Sequence, residues 1–185
     1  RDATFARLTD HLVAFVETAG PKLLGLENGV WSQLVDVQRD DLLAAAARAL
    51  EGDDAETVVR LAAPLFPYWW SRGLLLQMSE LAEKAAALPS AHRMAMVPRA
   101  SLLWARGMFR ISQGQLGAAE PLLEELQACL RGPGLERLSA FALAGLALAR
   151  VQTTTEERIA LVADAVETFR GLRDDRLVTG VLKIF

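Results

Sequence analysis

The chain has 185 residues, 52% of them hydrophobic and 23% charged, with a formal net charge of −3 and a pI near 5.5. That length can bury a sizeable core, and that charge offers no bulk attraction to nucleic acid or to an anionic membrane, so direct DNA binding is not expected. The single cysteine, Cys129, excludes an intramolecular disulfide and a cysteine-based zinc site and reads as a small apolar residue on a helix face.

Abundant Ala and Leu, with few consecutive β-branched residues, predict an all-helical chain. Phe5, Leu8, Leu12, Phe15, Val16 and Ala19 form one amphipathic stripe, and Gly20 and Pro21 are expected to stop that helix. After a loop through Gly25 and Gly29, a second stripe of Trp31, Leu34, Val35, Leu42, Ala46 and Ala49 runs to Leu50, with a break expected near Arg39 and Asp40. The acidic run Glu51 to Glu56 reads as a solvated helix start whose carboxylates favour the helix dipole, rather than as a metal loop.

The third helix carries Val58, Leu61, Ala62, Leu65 and Trp69. Pro64 and Pro67 lie inside it and predict a kink or short break, and Gly73 ends it. Leu75, Met78, Leu81, Ala82, Ala85 and Leu88 make the fourth helix, stopped by Pro89; a short turn over Ser90 to Val97 leads to Pro98 as the first residue of the fifth. Gly132, Pro133 and Gly134 break the chain after the sixth helix. Leu135 to Val151 is apolar nearly all round, as a helix buried between neighbours should be. Thr153 to Glu156 and Thr154 to Glu157 are overlapping capping boxes before a helix with Ile159, Val162, Val166 and Phe169. A last helix is expected from Asp174, with Leu177, Val181 and Phe185.

The most informative stretch is Arg106 to Leu126. Gly107 falls in mid-helix, where glycine costs ~1 kcal/mol relative to alanine, so a close approach by another helix is the expected compensation. Gly114 suits a left-handed C-cap, Ala119 a close helix crossing, and Leu116, Ala119, Leu123, Leu126 and Leu130 keep one apolar stripe. Gly145 repeats the position of Gly107, and Gly73 that of Gly114, at a period of ~40 residues. Arg158 occupies the second crossing position of the last hairpin, which should therefore be splayed or irregular.

This Gly, Gly, Ala and leucine spacing resembles a tetratricopeptide repeat. With the early helix Trp31-Ser-Gln-Leu34, the run Arg39 to Ala47 before an acidic turn, Leu61 to Leu65 leading to Trp69-Trp-Ser-Arg-Gly73, and Thr168 to Asp174, the chain resembles a narrower family. That family is the helical-repeat region of large bacterial regulators with a STAND-type NTPase and often a LuxR-type DNA-binding end, the MalT-like and AfsR-like proteins. Asp41, where the family usually has Asn, and the Pro64 and Pro67 pair depart from its pattern.

The resemblance implies a right-handed superhelical array of antiparallel hairpins, a TPR-like α-solenoid of about nine helices forming one domain over 1–185. Residues 1–50 would cap or link it, 54–89, 98–131 and 134–172 would be hairpin repeats, and 174–185 would start a further helix. Arg1 is not an initiator methionine and no signal pattern follows it, so the stretch reads as a cytoplasmic fragment of a longer protein.

No catalytic constellation is legible. His11 and His92 lack a partner at ligand spacing, the serines lack a nucleophile-elbow pattern, and no phosphate loop or helix-turn-helix is present. A non-enzymatic role is therefore expected, with no metal or cofactor in the fragment and any ATP- and DNA-binding regions outside it. A concave face offering Arg60, Trp70, Ser71, Trp104, Met108, Ile111 and Ser112 is the candidate groove; core packing is the plainer reading of the tryptophans and Met108. Its expected occupant is a protein partner or the protein's own NTPase domain. The alternatives are a sugar-type or other metabolite inducer and a stand-alone scaffold. Self-association through exposed apolar residues of the first and last helices is a further expectation.

Overall fold

In the computed structural model the described residues are 2–130, 135–150, 152–173 and 178, and every regular element among them is helical. The chain divides into two compact units, Arg1–Leu102 and Leu103–Phe185.

In the first unit, α1 (Asp2–Leu23) buries Leu12, Val16, Ala19 and Leu23, and it does not stop at Gly20 and Pro21. Pro21 gives up one backbone hydrogen bond, but ending there would strip Leu23, 2% exposed, from the core. Gly20 serves packing instead of termination, since a Cβ there would lie 3.0 Å from both the Cβ and the carbonyl oxygen of Pro64.

Helix α2 (Asn28–Glu51) likewise runs unbroken past Arg39 and Asp40, which are polar side chains on a continuous helix rather than a breaker pair. It turns Ser32, Val35, Leu42, Ala45 and Ala46 inward, packing on α1 and α3. Leu34, expected in that inner stripe, is 44% exposed, because its neighbour Val35 takes the core position and one helix cannot point both inward.

The two prolines act as expected. Helix α3 (Ala55–Ala62) passes through a 3₁₀ turn, Ala63–Leu65, into α4 (Phe66–Ser71). Through this break the Phe66 N–H turns to the carbonyl of Ala63, and the Trp69 indole N–H donates to the carbonyl of Ala62 at 3.0 Å. Helix α5 (Leu75–Ala86) follows, then a 3₁₀ turn, Pro89–Arg93, and α6 (Met96–Ser112), in which Pro98 is the third residue rather than the first.

The acidic run does more than favour a dipole. Asp54 caps α3 by accepting from the Thr57 N–H at 3.0 Å. Asp53 accepts the Ser90 N–H, the Ser90 hydroxyl accepts the Ala55 N–H, and Glu56 accepts the Ala95 N–H, each at 3.0 Å. The run thus also clasps the segment between α5 and α6, leaving Asp53 and Glu56 half-buried while Glu51 and Asp54 stay exposed.

The second unit takes α6 from Leu103 onward, α7 (Leu116–Cys129), α8 (Glu136–Ala149) and α9 (Thr155–Gly171). Leu123 of α7, fully buried, is seated between two glycines. A Cβ on Gly107 would lie 2.8 Å from its Cδ2, and one on Gly145 would lie 3.1 Å from both its methyl groups. Cys129 is half-buried, and Ile159 of α9 is 62% exposed instead of core.

The α8–α9 pair is not splayed. Its faces join through Ala140, Phe141, Ala165, Val166 and Phe169, while Arg158 bends aside to donate to the Ala147 carbonyl at 2.9 Å. Of the two capping boxes only Thr154 to Glu157 forms; the Thr153 hydroxyl donates to the Arg150 carbonyl instead.

With α3 and α4 counted as the one broken helix expected, the described residues form eight helices rather than about nine. The ninth, expected from Asp174, lies outside the described residues, apart from helical and buried Val178.

Candidate functional site

Helix ends fix the side chains of interest. Gly73 and Gly114 both sit in the left-handed region, with φ of +68° and +72°. Each closes the same cap: Leu74 N–H to Trp69 carbonyl and Gln115 N–H to Arg110 carbonyl, at 2.8 and 2.9 Å. Asp53, with φ of +54°, makes an equivalent cap at the end of α2, with Asp54 N–H to Ala49 carbonyl at 2.9 Å. A non-glycine in this position is legible only in structure, because aspartate tolerates it and looks like part of an acidic run.

In the first unit the candidate residues are largely engaged within the fold. Arg60 makes two hydrogen bonds to Glu17 of α1, at 2.9 and 2.7 Å. The Ser71 hydroxyl donates to the Tyr68 carbonyl at 3.0 Å. Trp69 is 1% exposed, whereas Trp70 is 54% exposed and meets the Phe66 ring at 6.0 Å.

The second unit treats its candidates similarly. Trp104 packs on Phe141 at 5.4 Å, and Phe141 meets Phe169 edge-on at 5.1 Å. Met108 and Ile111 are half-buried on the same helix, and the Ser112 hydroxyl donates to the Phe109 carbonyl at 2.7 Å. Arg60, Trp70 and Ser71 therefore belong to one unit, and Trp104, Met108, Ile111 and Ser112 to the other.

Two clusters escaped the sequence. Asp36 accepts the hydroxyl of fully buried Tyr68 at 2.8 Å and is ion-paired with Arg72. The Tyr68 hydrogen bond, helped by Arg72, holds the Asp36 carboxyl below its ordinary range; burial, then Asp36, pushes the Tyr68 phenol up. In the second unit Arg150 bridges Glu120 and Glu124 at 3.0 and 2.6 Å, and the hydrogen bond to Glu124 raises its already high pKa.

The sign of the Asp36 effect sets a test. Its folded pKa is depressed, so its ionisation stabilises the fold above about pH 4, and that contribution is lost as pH falls through the depressed value. Tyr68→Phe should move the Asp36 carboxyl, followed by carbon NMR, back up towards the ordinary range. It should also cost stability at pH 7 by about 1 kcal/mol, less in acid. An unmoved Asp36 titration would refute the assignment.

A third feature is a ridge of exposed apolar side chains. Leu26, just before α2, is 98% exposed, and Val30, Leu34 and Val37 are 62%, 44% and 79% exposed on one helix face. In the sequence the ridge shows only as a three-and-four spacing, because α2 carries two apolar stripes and Leu34 of the outer one adjoins Val35 of the inner one.

His11 and His92 are exposed, and among the described residues no group of three or more His, Cys, Asp or Glu is placed to hold a metal. No helix among them is long and apolar enough to cross a membrane. What these surfaces offer is apolar, aromatic and carboxylate contact. Comparison with protein-family models, with curated proteins and with solved structures returns no match for this chain.

Proposed function

We propose that the chain is a non-catalytic, TPR-like interaction module of a cytoplasmic bacterial regulator of the STAND NTPase and LuxR type, binding a protein partner or its own NTPase domain to set activity. The observation that carries the reading is Leu123 seated between Gly107 and Gly145. Small residues on two helices admit one large residue from the helix between them, which is how tetratricopeptide hairpins stack. The matching caps at Gly73 and Gly114 add a repeated turn. Stacked hairpins present broad surfaces, and the exposed side chains here are suited to recognition by burial.

The test compares ATP turnover by the parent gene product with and without residues 1–185. A several-fold change on deletion is the expected result. A parent without an NTPase domain, or turnover unchanged by deletion, would overturn the reading. Native mass spectrometry of the chain separates the inducer alternative, since a reproducible small-molecule adduct lost in Trp104→Ala would favour it.

A further inference from the structure

We infer that the outward ridge of α2 is the docking face for a basic amphipathic helix; this rests on the interaction-module reading and names the surface and the partner's chemistry. Val30, Leu34, Val37, Asp41 and Ala44 are spaced four, three, four and three residues apart, the spacing of a seam along which a second helix packs. At 1.5 Å per residue the seam runs for ~21 Å, about the length of a five-turn partner contact once Leu26 is added. Valine is a poor choice for an exposed helix position, since it loses side-chain freedom there without gaining burial. Two exposed valines in register with an exposed leucine are therefore better explained by a partner than by the stability of the chain.

Charge selects the partner. The turn after Val37 places Asp40 and Asp41, both exposed, towards the C-terminal end of the seam, with Asp40 only 3.8 Å from its neighbour Arg39 and otherwise facing solvent. Two copies of this chain fit badly. Parallel pairing would oppose the aspartates of one copy to those of the other, and antiparallel pairing would bury them against Val30 and Leu26. A helix with an apolar stripe and Lys or Arg at one end satisfies both halves of the seam, and a chain of net charge −3 favours its approach. Arg60, Ser71 and Trp104, by contrast, are already occupied by internal contacts.

The experiment uses fluorescence anisotropy with two labelled synthetic 18-residue helical peptides. Both carry leucines at i, i+4 and i+7; one has two lysines in the following turn and the other two glutamates. The lysine peptide should bind saturably and at least tenfold more tightly than the glutamate peptide, with affinity falling as salt rises. Val37→Asp, an exposed substitution checked for folding by circular dichroism, should weaken binding at least tenfold. The double variant D40K/D41K should exchange the preference between the two peptides.

Equal binding of the peptides, no binding of either, or a preference that D40K/D41K leaves in place would overturn the proposal. So would a dimer in sedimentation that Val37→Asp dissociates. In the parent protein Val37→Asp should reproduce the change in ATP turnover seen on deleting residues 1–185. If deletion changes turnover and Val37→Asp does not, the ridge fails while the module stands. If neither does, the module fails with it.

Discussion

Leu123→Ala should lower the unfolding free energy by about 3–5 kcal/mol, because a fully buried leucine is replaced by a cavity that two flanking helices cannot easily close. For a chain of this length that is a drop in Tm on the order of 10 °C. Far-ultraviolet circular dichroism follows the transition, since the second unit is helical. The sharper result comes from Gly107→Ala. In the native background the new methyl would sit 2.8 Å from Leu123 Cδ2 and 2.9 Å from Cγ, and Leu123 has little room to retreat, because even a Cβ built on Gly145 would lie only 3.1 Å from both its methyl groups. Overpacking of ~1–3 kcal/mol then exceeds the ~1 kcal/mol gained in helix propensity, and the variant is destabilised. In the Leu123→Ala background the clash is gone, the methyl enters the vacated space and the propensity gain remains. Gly107→Ala should therefore change sign between the two backgrounds, and the same sign in both would refute this packing.

That pair also marks what a sequence can disclose. Gly107 and Gly145 are legible because a glycine in mid-helix is costly enough to demand a reason, and Gly73 and Gly114 because a left-handed cap has few other occupants. Pro64 and Pro67 are legible because a missing N–H is a local fact. Gly20 and Pro21 mislead, because the burial of Leu23 and the fit of Pro64 against Gly20 are tertiary effects that outweigh a local preference. Arg158 misleads similarly: an arginine looks too large for a crossing, yet its guanidinium finds the Ala147 carbonyl and leaves the α8–α9 interface intact.

The candidate site was less legible than the fold, for a related reason. Spacing locates side chains on a helix face but does not say which face meets a neighbour. Trp70 and Trp104 looked alike in sequence, yet one is half-exposed and the other packs on Phe141. Asp36 and Tyr68 are 32 residues apart, and their pairing depends on how α2 and α4 are brought together, which no local pattern encodes.

Trp69→Phe should be the most costly single-ring substitution in the first unit, at about 2–4 kcal/mol. The cost originates at the helix break. An ordinary α-helix would satisfy the Ala62 carbonyl with the N–H of Phe66, but the 3₁₀ turn diverts that donor to Ala63. The Trp69 indole N–H takes its place at 3.0 Å, inside a core where the tryptophan is 1% exposed and its ring lies edge-on to Tyr68 at 5.1 Å. Phenylalanine would leave the carbonyl buried without that donor, about 1–3 kcal/mol, and would add a partial cavity. Trp70→Phe is the internal control, since a 54% exposed ring one residue away should shift stability by no more than about 0.5 kcal/mol. Chemical denaturation of the two variants side by side reads the contrast directly. Equal losses would mean that the indole does not complete the broken helix. A loss confined to Trp69 would separate the two adjacent tryptophans by role, one holding the kink and the other contributing little to the fold from the surface.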